Sequence, residues 1–315
     1  MTGMPSLLAR LDQFQRRRRV LAFAWATVKK YLDDDGARHA ALITYYGFLS
    51  MFPLLLIGVA VVTEVLSSNP GLRQRLITEI VPPVLQDTVT DAAAALPTSP
   101  VAFVVGAAGL FYAATGVVYA SYRTVNHVAA VPMRDLPSPV GAYARVFGAL
   151  LLLLVGVIAA GGLAVIGAIL PFAEQLPAVL GTALAGFAVL TVGARLLLCR
   201  PAPLRALWPA ATIGALVLTV ILHLGAPLLA RLVRNAGPVY GAFATVAGLF
   251  ALLYLVSQAL VLAAEIAAVR YTRLWPRALD SADPTAADER ALALLAREQE
   301  RIPGQVVESR IIHRA

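Results

Sequence analysis

Hydrogen-bonding and charged side chains occur inside stretches of this sequence that are otherwise apolar, and their types could do chemistry. Tyr254, Gln258 and Glu265 share one face of a helical pattern, with Ser257 beside them. Arg123 ends a second apolar stretch. In such a setting a carboxylate can carry a proton, and a guanidinium can meet an anionic group. These residues therefore predict a path for a polar molecule or ion.

The stretch that ends at Arg123 carries a polar stripe at helical spacing. Five side chains lie three or four residues apart and so share one face: Tyr112, Thr115, Tyr119, Tyr122 and Asn126. The stripe predicts either hydrogen bonding between helices with an aromatic belt at the membrane boundary, or the wall of a hydrophilic path. Both interpretations stay open at this point.

Residues 40–62 form a stretch of 23 residues without a charge, which can position such side chains. At about 1.5 Å rise per residue this stretch can cross a hydrocarbon core of about 30 Å. Tyr46, Ser50 and Pro53 share one face, with Tyr45 beside them, and Pro53 predicts a kink. We expect this face to look at protein and the aliphatic face to look at lipid.

Five more apolar stretches have the length of membrane spans. They cover residues 101–123, 144–170, 178–198, 208–229 and 239–269. The third span carries small residues at four-residue intervals, at Gly156, Ala160, Ala164 and Ala168. Small residues let another helix approach closely, so we expect a packing groove there. We favour packing inside the chain, and a homo-oligomer is the alternative.

The composition agrees with a membrane setting. Hydrophobic residues make up 59% and charged residues 14% of the chain, against about 45–50% and about 25% in soluble domains. The formal charge is +8, but seventeen of the 26 basic residues lie in segments that alternate with the spans on one side, and four lie on the other. The positive-inside rule then predicts both termini in the cytoplasm and makes a nucleic-acid partner unnecessary.

The segments outside the spans divide the chain into domains. Residues 1–39 are basic and amphipathic, which favours helices on the inner leaflet held by anionic headgroups of membrane lipids, with a solvated tail as the alternative. Residues 64–100 form an amphipathic outer loop within the six-helix domain 40–272. Residues 273–315 form a charged cytoplasmic tail, in which Thr285 and Asp288 predict a helix start. The predicted fold is all-α: a polytopic bundle of six transmembrane helices with amphipathic interfacial helices.

Several of these residues resemble the signature of the bacterial YihY/BrkB inner-membrane proteins. The first-span positions are Tyr45, Tyr46, Leu49, Ser50, Phe52 and Pro53, and the closing positions are Tyr240, Gly241, Tyr254, Ser257, Ala264 and Glu265. The resemblance covers roughly residues 20–272 and departs from the pattern at Ala263. It implies a six-helix protein of the bacterial cytoplasmic membrane that serves envelope integrity and is sometimes suspected of transport.

That family has also carried a ribonuclease label, which the residues can test. A metal-dependent nuclease needs clustered acidic or histidine ligands, and Asp33, Asp34, Asp35 and His39 form the only such stretch, without a second cluster to complete it. No phosphate-binding Gly-x-x-x-x-Gly-Lys loop, nucleophile elbow or His-Glu-x-x-His motif occurs. We therefore expect no enzyme and no cofactor.

Two classes of function remain. The first is a transporter or flippase-like protein with an inward-open polar cavity for an anionic or amphiphilic envelope molecule. In it Arg123 would meet the negative group, and Glu265 would pair with Arg123 or carry a coupling proton. The second is a scaffolding membrane protein whose polar stripes only join helices.

Overall fold

The computed structural model describes residues 7–65, 100–169, 176–200, 202–280 and 283–309, and the regular structure in those ranges is helical without a strand. The α-helices are α1 (Leu7–Arg17), α2 (Arg19–Asp33), α3 (Gly36–Val65), α4 (Pro100–Val128), α5 (Pro139–Ile169), α6 (Leu176–Leu197), α7 (Leu204–Thr272) and α8 (Ala286–Glu298). A single 3-10 turn, Met133–Asp135, joins α4 to α5. The predicted all-α class is confirmed.

Five stretches among the described residues are long and apolar enough to cross a membrane. They are Val104–Val128, Pro139–Gly156, Val179–Leu197, Leu204–Ile221 and Phe243–Thr272. Helix α3 coincides with the predicted first span, but its side chains beyond residue 51 lie outside the described part. The count of six spans therefore stays a prediction. Residues 66–99, most of the predicted outer loop 64–100, lie outside the described part, as do the side chains of Pro53, Ala160, Ala164 and Ala168, so the outer loop and the kink stay predictions.

Helix α7 folds back on itself. A Cβ added to Gly214 would lie 3.1 Å from the Cβ of Ala263, and one added to Gly225 would lie 2.4 Å from Leu252. A straight helix rising about 1.5 Å per residue would hold each pair at least about 40 Å apart. The helix therefore reverses between Gly225 and Leu252 into two antiparallel arms, which match the predicted fifth and sixth spans. Residues 231–238, which lie between these two predicted spans, have helical backbone.

The chain divides into two compact units, of which the first comprises residues 1–40, 119–217 and 258–315. Its core joins α2, the end of α7 and α8 through Ala26, Val269, Leu274 and Ala291. The rings of Phe23 and Trp275 meet edge to face beside these residues, with centroids 5.4 Å apart. Both terminal segments of the chain thus belong to one packed unit.

Helices α5 and α6 pack closely within this unit. A Cβ added to Gly156 would lie only 2.4 Å from Cγ2 of Val189, and one added to Gly148 would lie 3.3 Å from Leu196. The absence of a side chain at Gly156 therefore lets α6 approach α5. At this position the groove predicted from small residues faces the chain's own helix.

The second unit comprises residues 41–118 and 218–257. In it the Thr44 hydroxyl donates a 3.0 Å hydrogen bond to Ser257, and the rings of Phe48 and Phe250 lie 5.6 Å apart. Tyr46 packs so closely over Gly116 that an added Cβ there would come within 2.3 Å of the ring. These contacts join α3 to α4 and to the second arm of α7.

Candidate functional site

Glu265 is the charged residue most deeply placed in the described part of the chain. It lies on the second arm of α7, within the apolar stretch Phe243–Thr272, and is 0% exposed. Val261 and Val269, one turn to either side, are also buried. Burying an ionised carboxylate costs much free energy unless a charge and hydrogen bonds compensate it. The residues around Glu265 therefore have to compensate its negative charge.

Lys30 of α2 is the ion-pair partner of Glu265. Its Nζ lies 3.3 Å from Oε2 of Glu265. Ala26, one turn before Lys30, packs with Val269, one turn after Glu265. Because residues four apart share a helix face, this apolar contact sets the ammonium opposite the carboxylate.

The pairing leaves Glu265 short of hydrogen bonds. Among the described residues, neither oxygen of its carboxylate has a hydrogen-bond partner, so the contact with Lys30 is an ion pair by distance only. Lys30 donates its hydrogen bond to the carboxylate of Asp34 instead. One ammonium therefore serves two carboxylates and is aligned with only one of them.

Asp34 follows the end of α2 and is 3% exposed. Burial raises the pKa of this carboxyl above its ordinary value, and the attraction of Lys30 offsets only part of that rise. A raised pKa means that burial disfavours the ionised form of Asp34. Both carboxylates beside Lys30 thus lie in surroundings that oppose their charge.

Two histidines extend this cluster toward α4, α3 and α8. Nδ1 of His127 lies 2.6 Å from Oε1 of Glu298, and Nε2 lies 3.3 Å from the carbonyl oxygen of Asp34. The ring of His39 is 4.8 Å from the ring of His127. Burial and the nearby His127 lower the pKa of His39, which favours its neutral form.

A cleft opens beside Asp34 with room for about one water molecule. Its lining residues are Lys30, Asp33, Asp34, His127, Ala130, Leu274, Arg277, Ala291, Leu294 and Leu295. Within the described ranges, no three histidine, cysteine or acidic residues lie close enough together to hold a metal ion. The chemistry that these groups support is proton binding and charge compensation.

Asn126, the last residue of the polar stripe on α4, binds the C-terminal end of α6. Asn126 donates from Nδ2 to the carbonyl of Leu197 and accepts from the amide of Cys199, both at 2.9 Å. Arg145 donates to the carbonyls of Leu196 and Leu198. Backbone groups at a helix end need such partners because they have none within the helix. The contacts of Asn126 and Arg145 are therefore structural.

Other members of the stripe are placed differently. The hydroxyl of Tyr122, a buried residue, lies 3.4 Å from Sγ of Cys199, and the exposed Tyr119 stacks on Tyr143 with centroids 5.8 Å apart. Thr115 donates to the carbonyl of Phe111 in its own helix. Tyr112 and Arg123 are exposed.

The remaining predicted residues lie on α3 and α7. Tyr45 is exposed and Tyr254 half-buried, and Ser50 donates to the carbonyl of Gly47. Gln258 accepts a hydrogen bond from the hydroxyl of Tyr31, the neighbour of Lys30 on α2. Helix α2 therefore meets both Gln258 and Glu265.

Four residues of the cluster were not singled out by the sequence as site residues: Lys30, Asp34, His127 and Glu298. In the sequence, Asp34 belongs to the acidic stretch that precedes His39, and Lys30 belongs to the basic segment 1–39. The spacing of Lys30 and Asp34, four residues apart, was the available signal of an ion pair. The partner of Glu265 in the structure is Lys30, and Arg123 is exposed.

Comparison with known protein families gives a match over most of the chain. A family model described as virulence factor BrkB matches residues 27–288. No curated protein and no solved structure matches the chain. The matched range includes Lys30, Asp34, His127 and Glu265, and it ends before Glu298.

Proposed function

The chain belongs to the virulence factor BrkB family, and on that premise we propose that it is a transporter or flippase-like protein of the bacterial inner membrane, serving envelope integrity. Its cargo is an anionic or amphiphilic envelope molecule, which enters a polar path from the cytoplasmic side. The proposal includes no catalytic residue, no cofactor and no nucleic-acid partner. The observation that carries it is the fully buried Glu265.

An ionisable residue in an apolar helix is expensive to keep. On insertion scales a charged side chain at the centre of a span costs about 2.5 to 3.5 kcal/mol, and Glu265, seven residues before the end of its apolar stretch, costs less than that but is fully buried. A structural ion pair would offset that cost with hydrogen bonds, but both carboxylate oxygens of Glu265 lack them among the described residues. Residues of this kind in membrane spans mark paths for ions and substrates. Glu265 is therefore the residue on which we base the transport proposal.

Contacts between the terminal segments support the proposed orientation. Asp12 of α1 accepts from the amide of Leu279, and Trp25 of α2 donates to the carbonyl of Ala278. Two segments outside the spans can meet only on the same side of a membrane. Together with the bias in basic residues, this favours both termini in the cytoplasm, with the Lys30 cluster at the cytoplasmic end of the spans. Arg123, one turn before His127, is the proposed contact for the anionic group.

The test is flux in proteoliposomes, measured for small anions and for labelled anionic lipids. The wild type is compared with Glu265→Gln and Arg123→Gln, and Glu308→Gln serves as the control because Glu308 is exposed. We expect flux of at least one cargo in the wild type and the control, a large loss in Glu265→Gln and weaker binding of cargo in Arg123→Gln.

Scaffolding is the second candidate, and specific contacts favour it. Asn126 and Arg145 donate hydrogen bonds to backbone carbonyls at the end of α6, as expected when polar residues only hold helices together. If both Glu265→Gln and Arg123→Gln, folded as well as the wild type, keep full flux and full envelope function, scaffolding replaces transport.

A further inference from the structure

We propose that Lys30, Asp34 and Glu265 form a proton-binding site, in which Glu265 holds one proton while Lys30 neutralises Asp34. The inference deepens the proposed function and rests on it only for the use of the proton in transport. Binding of the proton is a property of the folded chain and can be measured without any flux.

The charges around Lys30 do not balance. Two buried carboxylates share one ammonium, since Lys30 contacts both Asp34 and Glu265. The other ionisable groups nearby have partners of their own: Nδ1 of His127 lies 2.6 Å from Glu298, a pair that is neutral when His127 is protonated, and Asp33 lies 2.7 Å from Arg277. With both carboxylates ionised, the site would carry one uncompensated negative charge. A buried group in that position takes up a proton rather than stay charged.

The two carboxylates differ in how well their charged forms are stabilised. The hydrogen bond from Lys30 goes to Asp34, and hydrogen bonds to the ionised form stabilise it. Glu265 is 0% exposed, and neither of its oxygens accepts a hydrogen bond from any described residue. The charged form of Glu265 is therefore the less stabilised of the two. The proton belongs on Glu265.

Water can come close to the buried carboxylate. The cleft beside Asp34 has room for about one water molecule and is lined by Lys30, Asp34 and His127. Lys30 is in turn 3.3 Å from Glu265. The path for a proton between water in the cleft and the carboxylate of Glu265 is therefore short and runs past Lys30. Charged and titratable groups reach the site from α2, α4 and α8, and His39 of α3 lies behind His127.

The charge count also gives the direction of coupling. With Glu265 protonated the three residues are neutral together, and without the proton they carry one negative charge. An anionic cargo near them is repelled only by the second state, so cargo and proton favour each other's binding. In transport, the proton and the anion would therefore move in the same direction.

The experiment is infrared difference spectroscopy of the full-length protein in detergent, recorded over a series of pH values. Glu265 as a neutral acid contributes a carbonyl-stretch band that disappears when it ionises. We expect this band at neutral pH in the wild type and in Glu308→Gln, and its absence in Glu265→Gln. A wild type without a band that depends on Glu265 would overturn the proposal.

Two further variants separate the charge count from burial alone. Asp34→Asn leaves one ammonium for one carboxylate, so we expect the midpoint of the Glu265 band to fall by at least about one pH unit, a ten-fold loss of proton affinity. Lys30→Gln removes the ammonium, so the midpoint should rise. If neither variant shifts the midpoint, the three residues do not act as one site and the proposal fails.

The same variants distinguish this inference from the proposed function. A Glu265 band with the expected shifts, but without flux of any cargo, leaves the proton site intact and removes the transport role. Flux that persists without dependence on Glu265 leaves transport intact and removes the coupling. Thermal unfolding of each variant checks that it is folded. Because Asp34→Asn and Lys30→Gln should shift the midpoint of the Glu265 band in opposite directions, either variant alone can test the proposal if the other does not fold.

Discussion

Two ion clusters lie on neighbouring residues of α2, and they are built differently. Lys29 and Asp33 belong to the first, which we call the clasp, together with Arg277 and Asp288 of the C-terminal segment. Lys29 and Arg277 both donate to Asp288, at 3.0 and 2.9 Å, and Arg277 pairs with Asp33 at 2.7 Å. The clasp has two positive and two negative charges, and it is balanced.

The second cluster, one residue further along, is not balanced. Lys30 faces both Asp34 and Glu265, and the oxygens of Glu265 have no hydrogen bonds within the described residues. In the clasp, by contrast, Asp288 also accepts from the backbone amides of Ala278 and Thr285, and Nη1 of Arg277, which has no hydrogen bond within the described residues, lies 2.7 Å from Asp33. The difference teaches that equal numbers of positive and negative charges, together with hydrogen bonds from the backbone, identify a structural ion cluster. A buried carboxylate in excess of the positive charges, whose oxygens accept no hydrogen bond, points instead to a group that changes its protonation.

Breaking the clasp should have the largest effect on stability. Asp288→Asn leaves the buried Arg277 with less compensation, and it weakens the capping box that Asp288 forms with Thr285. Removing one partner of a buried pair costs about 3 to 5 kcal/mol, and we expect a loss near about 3 kcal/mol because Asp33 still faces Arg277.

Chemical unfolding in detergent, followed by circular dichroism, measures this loss. Asp283→Asn is the matched control, since Asp283 pairs with Arg16 at 3.1 Å on the surface, where such pairs contribute about 1 kcal/mol or less. Equal losses for the two variants would mean that the clasp is no stronger than a surface pair.

The two clusters should also respond to pH with opposite signs. Burial raises the pKa of Asp288, but hydrogen bonds from Ala278, Thr285 and Lys29 outweigh it and leave the pKa below its ordinary value. The stability that Asp288 contributes is present above about pH 3.9, the unfolded value, and is lost as the pH falls through the lower folded value.

Asp34 has the opposite shift, because burial raises its pKa. Its contribution is therefore most favourable below about pH 3.9 and is lost as the pH rises through the raised folded value. Hydrogen exchange of α8 and of α2 at several pH values measures the two responses. We expect acid to increase exchange in α8, and Asp34→Asn to flatten the pH dependence of α2. Identical pH profiles in the two helices would contradict the distinction.

Parts of both clusters could be predicted from the sequence, namely those in which the interacting residues lie close together along the chain. The start of α8 at Thr285 is confirmed by its capping box with Asp288, because a cap involves residues only three positions apart. The apolar helices are confirmed because each carries its own length and composition. The pairing of Lys30 with Glu265 joins residues 235 positions apart. No periodicity within one helix indicates which distant helix it will meet. For the same reason the contact between His127 and Glu298 could not be predicted from the sequence.

The smallest predicted effect concerns the other face of α2. Its face toward the protein holds Lys30 and the buried Thr27, while Leu21, Val28 and Leu32 are exposed at 42%, 45% and 63%. A helix whose apolar side is turned outward needs an apolar medium there. Arginines lie exposed at the junction with α1, at Arg17, Arg18 and Arg19. These observations favour an anionic membrane surface as the partner of this face.

A spin label at position 28, introduced as Val28→Cys with Cys199→Ala, tests that placement in liposomes. We expect its collisions with lipid-soluble oxygen to exceed those with a water-soluble nickel reagent, and a label at Glu289 of α8, which is exposed, to show the reverse. Anionic lipid should strengthen the contrast modestly, because each basic residue near such a surface contributes about 1 kcal/mol. If the label at position 28 behaves as the one at 289 does in every lipid mixture, α2 faces water, and the charge on Arg17, Arg18 and Arg19 has some other partner than the membrane.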